Sequence, residues 1–169
     1  MIVEVCQAKK EDAALSYVIT EDAMRTYVEA TWGHWDPVAQ RRTHAQSFVP
    51  ATHWIVLADA EIVGVVAAEL ERSHIQLVKL YLRSHARGRG IGALILSSLL
   101  RSAALRSQPL RLRVLAANDR AQAFYRRHGF RESSRTPERV FMEARPNPSI
   151  ERTSQRPLRA LCAAAHVER

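Results

Sequence analysis

Six consecutive residues carry the strongest chemical signal in the chain: Arg87-Gly88-Arg89-Gly90-Ile91-Gly92. Ahead of them, Val78, Leu80 and Leu82 alternate with Lys79 and Tyr81, the two-residue period of a strand. Behind them Ile91, Leu94, Ile95, Ser98 and Leu99 recur at helical spacing, which predicts an amphipathic helix to about residue 106. A glycine-rich turn that opens a helix invites an anion. The first N–H groups of a helix lack intrahelical partners and lie at the positive end of its dipole. Gly88, Gly90 and Gly92 have no Cβ, so a ligand can approach the backbone closely. Arg87 and Arg89 add charge and forked donors. A diphosphate is the guest these features suit. The competing reading is a plain glycine turn with two solvated arginines. Three alternating glycines, two arginines and a helix directly behind weigh against it.

Two familiar phosphate loops fit poorly. A Walker loop requires a Gly-Lys-Ser/Thr ending, which is missing. A dinucleotide fingerprint fits loosely as Gly88-x-Gly90-x-x-Ala93, but it wants an acidic residue roughly 20 positions on. Residues 108–117 contain no Asp or Glu. The turn also lies mid-chain, behind several predicted strands.

Downstream, Asn118 stands between a predicted strand at 110–116 and a predicted helix at 119–128. Asn is among the best residues to cap that helix. On the helix Ala121, Phe124, Tyr125 and His128 share one face, and Gly129 supplies the stop. Phe124 reads as packing. Tyr125 is the candidate for chemistry, since a phenol can give a proton or hydrogen bond to a leaving group.

The string Arg87-x-x-Gly90-x-Gly92, with Asn118 and Phe124-Tyr125 behind it, resembles the acyl-CoA site of the GNAT superfamily of N-acetyltransferases. The resemblance spans roughly residues 1–144 and is specific over 80–130. It implies that backbone N–H groups of Gly88, Arg89, Gly90, Ile91 and Gly92, with Arg87, hold the CoA pyrophosphate. It implies that the main chain of Leu80, Tyr81 and Leu82 pairs with the pantetheine arm, that Asn118 binds the same arm, and that Tyr125 lies near the thioester sulfur. The co-substrate implied is acetyl-CoA, with no metal. The reaction implied is direct acetyl transfer to a primary amine of a small molecule or peptide. The alternative is a non-catalytic acyl-CoA sensor that kept the loop. Many members of this family are dimers, so a homodimer is admitted.

The general base is less legible. Some relatives carry a catalytic Glu where this chain has Gln76, which cannot take a proton. Glu69, Glu71, His74, His34 and Asp36 are the substitutes. Glu69 ranks first. It would share a strand face with Val63, Val65 and Ala67, and semi-burial raises a carboxyl toward the range useful for base work.

The elements that must position these groups follow from periodicity. Residues 2–7 read as a first strand. Residues 10–31 read as helix in two pieces, restarting at a Thr20 cap followed by Glu21 and Asp22. Stripes of Leu15, Val18, Ile19 and of Met24, Tyr27, Val28 face inward. Thr31-Trp32-Gly33-His34-Trp35-Asp36-Pro37 breaks the helix. Its two tryptophans read equally as packing or as the wall of an acceptor cleft. Residues 37–48 are a second helix. Strands at 53–58 and 62–70 form a hairpin, and strands at 130–133 and 139–143 complete the sheet. The order β-α-α-β-β-β-α-β-α-β-β matches the resemblance: an α+β fold, a mixed, mostly antiparallel sheet with helices on both faces.

At 169 residues the expectation is one domain at 1–144 and a Pro/Arg-containing basic tail at 145–169, with a short helix at 158–167. No apolar run reaches the roughly 18 residues of a membrane span. Met1-Ile2-Val3-Glu4 does not open a secretory signal, and the expected compartment is the cytoplasm. Cys6 and Cys162 read as two reduced thiols, and no Cys/His spacing suggests a metal. The net charge of +8 comes from 25 basic and 17 acidic residues. The arginines are dispersed and no basic block interleaves with aromatics, which speaks against nucleic acid as a partner.

Overall fold

The computed structural model describes residues 1–146. Cys162, the arginines from Arg152 onward and the helix expected at 158–167 lie outside the described residues. The chain runs β1 (Val3–Gln7), α1 (Ala13–Trp32), α2 (Pro37–Ser47), β2 (His53–Ala58), β3 (Glu61–Leu70) and β4 (Ile75–Leu82). It continues with α3 (Ile91–Leu105), β5 (Leu110–Leu115), α4 (Asp119–Arg127), β6 (Arg131–Arg135) and β7 (Arg139–Ala144). Seven strands form one sheet in the order β1-β2-β3-β4-β5-β7-β6. Every neighbouring pair is antiparallel except β4–β5. Among the described residues no helix is long and apolar enough to cross a membrane.

The first helix departs from expectation. It is unbroken over 20 residues, and Thr20 caps nothing: its hydroxyl donates to the Ser16 carbonyl 2.8 Å away. A hydroxyl can bond one turn back without ending a helix, so a Thr followed by acids is no reliable restart. The buried stripe is Ser16, Tyr17, Ile19 and Val28, while Val18 faces solvent. Gly33 closes the helix in the left-handed region at φ 84°. Asp36 then caps α2, accepting from the N–H groups of Val38 and Ala39, with Pro37 in the first turn.

Two sheet faces follow from the register. His53 and Ile55 pair with Ala67 and Val65, which pair in turn with Lys79 and Tyr81; this face lies under α1 and α2. Val66 and Ala68 pair with Leu80 and Leu77 on the opposite face. There they join Ile91, Ile95, Leu96 and Leu99 of α3 and Tyr125 of α4 in the main core. A smaller cluster of Tyr17, Val28, Trp35 and Leu115 sits on the α1 side.

One irregularity shapes the centre. The β3–β4 register shifts between Ala67 and Ala68, leaving Val78 as an extra residue on β4. The parallel β4–β5 ladder holds only Ile75–Leu110, Gln76–Arg111 and Leu77–Leu112. Beyond it β4 stays with β3 and β5 stays with β7. The facing edges of β4 and β5 therefore part. Gly64 lets β3 hug the departing strand: a Cβ there would stand 2.5 Å from the Tyr81 carbonyl oxygen.

Candidate active site

The glycine turn ends β4 and opens α3 where the two strands separate. Gly88 and Gly90 have φ of 78° and 82°, a region costly for residues with a Cβ. A Cβ would meet nothing within 4 Å at either, so backbone conformation rather than crowding selects glycine there. Gly92 differs, since a Cβ at that position would touch the Phe124 ring at 3.5 Å. That glycine seats α4 against the first turn of α3. Gly90 caps α3 with no side-chain bond, which leaves the first-turn amides open to a ligand.

The two loop arginines have different surroundings. Arg87 is tied inward: Nε donates to the Leu82 carbonyl at 2.8 Å, and Nη2 donates to the Asp22 carbonyl at 3.1 Å. The Asp22 carboxylate lies 3.5 Å from Nη2 and also accepts from the Ser84 N–H at 2.8 Å. Arg87 therefore fixes the end of β4 to α1, where the sequence suggested a phosphate ligand. Arg89 is exposed and makes no ion pair among the described residues.

Across the gap, Asn118 does what a cap residue should: its Oδ1 accepts from the Ala121 N–H at 3.0 Å. Its amide nitrogen has no partner among the described residues. Tyr125 is 9% exposed, edge-on to Phe124 and Phe130 at centroid distances of 5.2 and 5.5 Å. Its hydroxyl has no hydrogen-bond partner among the described residues. Burial, and then the neighbouring Tyr81 phenol, push Tyr125 far above the ordinary phenol value. Burial pushes Tyr81 up to about 12, with Arg113 and Arg139 pulling it part of the way back. Both phenols stay protonated at neutral pH, so they are donors rather than bases. They belong to elements on opposite sides of the parted strands.

Glu69, the base expected first, lacks the buried surroundings anticipated for it. Glu69 is exposed near the end of β3, beside Gln76. Gln76 lies five residues along β4 from Tyr81, roughly 16 Å at strand rise. The semi-burial anticipated for Glu69 is absent because β3 runs out past its helix cover. Asp36 is engaged as the α2 cap, and His34 and Glu71 are exposed. The two tryptophans differ in burial. Trp35 is buried in the smaller core, whereas Trp32 is 44% exposed with the Arg139 guanidinium 5.8 Å from its ring.

A polar cluster beneath α2 escaped sequence reasoning. Lys79 Nζ lies 3.3 Å from His44 Nδ1. His44 and His53, both buried, sandwich Phe48 at ring distances of 5.8 and 4.8 Å. Burial lowers His44 to about 4, with the Lys79 charge adding to the effect and the Ala13 carbonyl opposing it. Burial lowers Lys79 to about 8, and burial and then Lys79 lower His53. One signal was available: Lys79 is the single charged residue of β4. Among the described residues no group of three metal-ligating side chains forms.

Comparisons with known proteins agree with this architecture. The family profile described as "Acetyltransferase (GNAT) domain" matches residues 50–132. No curated protein matches by sequence. The PaiA N-acetyltransferase from Thermoplasma acidophilum, solved in complex with coenzyme A, is similar with TM-score 0.70 and 16% identity, covering 86% of this chain and 99% of that one. An acetyltransferase from Thermus thermophilus is similar with TM-score 0.68 and 21% identity, covering 86% of this chain and 97% of that one. The ribosomal-protein-S18-alanine N-acetyltransferase from Escherichia coli is similar with TM-score 0.62 and 14% identity, covering 99% of each chain. At such identities these structures speak for the fold, while the profile match covers the bulged strand, the glycine turn and α4. The chain belongs to the GNAT superfamily of acetyltransferases.

Proposed function

We propose that this protein transfers the acetyl group of acetyl-CoA directly to a primary amine of a small molecule or peptide. Residues 1–144 form the catalytic unit and 145–169 a basic tail. One observation carries the reading: the free edge of β4 beyond its bulge leads straight to the open amides at the start of α3. A strand edge offers N–H and C=O groups to an extended amide-bearing arm. The amides after Gly88 and Gly90 suit a diphosphate. The pantetheine arm pairs with Leu80, Tyr81 and Leu82, and the Asn118 amide reaches it from the other side. Residues 87–92 hold the pyrophosphate, with Arg89 as the free cation and Arg87 as the anchor of the turn.

In the transfer, the free-base amine attacks the thioester carbonyl. A C–N bond forms, the C–S bond breaks, and the electron pair leaves with sulfur. The protonated Tyr125 phenol gives its hydrogen to that sulfur, and the proton lost by nitrogen passes to solvent, from which the phenol is restored. A protonated phenol whose hydroxyl has no hydrogen-bond partner among the described residues is available to the departing sulfur, which favours turnover over a sensor that only binds. The test is a thermal shift with acetyl-CoA, followed by release of free thiol with a panel of amines. Acetyl-CoA must raise Tm, because a ligand of the folded state alone stabilises it. No shift and no thiol at saturating acetyl-CoA would overturn the proposal.

A further inference from the structure

On the sheet face under α1 Arg113, Arg139 and Lys79 make no ion pair among the described residues, and the acids of that face, Glu69 and Glu143, lie further along the strands. Arg113 of β5 pairs with Phe141, and Arg139 of β7 pairs with Leu115. The two arginines are thus diagonal neighbours on one face, about 7–8 Å apart at the backbone. Leu115 shares that face and is buried against Tyr17 and Trp35, which places it on the α1 side. Neither Arg113 nor Arg139 makes an ion pair among the described residues. The acid on the same face of the β5–β7 pair, Glu143, is held by Arg111 at 2.7 Å. Lys79 lies on the same side of β4, bonded to a neutral imidazole rather than a carboxylate. Tyr81 is on that face of β4 too, and the charges of Arg113 and Arg139 oppose the rise that burial gives its phenol. The unanswered charge therefore stands on the sheet face that carries Tyr81, next to the parted edge of β4.

Like charges on diagonal neighbours repel, and a surface that keeps them unpaired suits an anion. A guanidinium fork matches a carboxylate in shape as well as charge. Resting on the transferase reading above, we infer that the acceptor is an amine that also carries a carboxylate, which Arg113 and Arg139 recognise. A polycationic amine would meet two guanidiniums and Lys79 with no carboxylate in return, which disfavours it.

The test uses the full chain and acceptors matched in everything but the charge of one end. Series of ω-amino acids, their amides and the corresponding diamines, with from about two to about six methylenes, are assayed by thiol release. The acid of at least one length should exceed its amide in kcat/KM by about tenfold, the factor of one charge-assisted contact, and the diamine by more. The gain should lie in KM. In Arg113→Gln/Arg139→Gln the acid-to-amide ratio, read within the variant, should fall to about one. Acetyl-CoA binding with equal or better use of amides or diamines overturns this inference and leaves the transferase reading standing. Binding without transfer to any acid does the same. An unchanged ratio in the double variant removes the two arginines from the role. Absence of acetyl-CoA binding overturns the transferase reading itself.

Discussion

The two faces of the sheet are built for different ends. Under α3 and α4 the contacts are aliphatic and aromatic, with Ile91, Ile95, Leu96 and Leu99 meeting Val66, Leu77, Leu112 and Val140. Under α1 and α2 the covered residues include Ser16, His44 and His53, with Lys79 half-buried among them. Both faces are roofed by helices, yet only the first is a conventional core. Cohesion is concentrated on one side of the parted strands and titratable groups on the other. A site can then tolerate poorly solvated charge, because the opposite face carries the fold.

Three experiments probe that contrast. The largest effect is expected from Leu96→Ala, which empties a fully buried position on the aliphatic side. A loss of about 2–5 kcal/mol in urea unfolding is expected; a loss well under about 1 kcal/mol would mean that this face is not the keystone.

Next comes acid sensitivity on the polar side. His44 is held near 4 in the fold, against 6.5 ordinarily. The unfolded chain takes a proton that the folded chain refuses, so stability falls as pH drops from about 6.5 toward 4. A shift of that size corresponds to about 3 kcal/mol. His44→Phe should flatten this limb in urea midpoints compared between neutral pH and the acid end of that window. An identical slope in parent and variant would remove His44 as its source.

The smallest effect is expected at the Tyr125 phenol, on the aliphatic side. Tyr125→Phe should lower kcat by about tenfold to a hundredfold, since a thiol of pKa ~8.5 departs with modest help. Its hydroxyl has no protein partner among the described residues. Tm should therefore hold within a degree or so, and an unaltered kcat would exclude proton donation by this residue.

Most of the architecture was legible in the sequence, because alternation and helical spacing mark elements strongly when Gly or Pro bounds them. The Gly33 and Gly129 stops, at φ of 84° and 87°, are such boundaries, whereas the hairpin turn has neither Gly nor Pro and is one residue shorter than the Asp59-Ala60-Glu61 expected, since Glu61 opens β3. Local hydroxyl chemistry misled at Thr20, where a bond one turn back imitates a cap. The local geometry of the candidate site was legible wherever the backbone decides it, at the left-handed glycines of the turn and the Asn118 cap. It was not legible where tertiary contacts decide. Nothing in the spacing says that Arg87 folds back onto Asp22, 65 residues away in sequence, and leaves Arg89 outside. Nor does alternation reveal which of two covered faces is polar. Lys79 and His44 lie 35 positions apart, and only the packing of α2 on β4 joins them.

The brevity of the parallel ladder has a mechanical side. Three rungs are all that join the four strands on one side to the three on the other. The sheet is thus two plates meeting along a short seam, splinted from one side by α1, which packs on β3, β4 and β5, and from the other by α3, which packs on β4 and β5. Any molecule lodged between the plates lengthens that seam, so occupancy and rigidity of the whole sheet rise together.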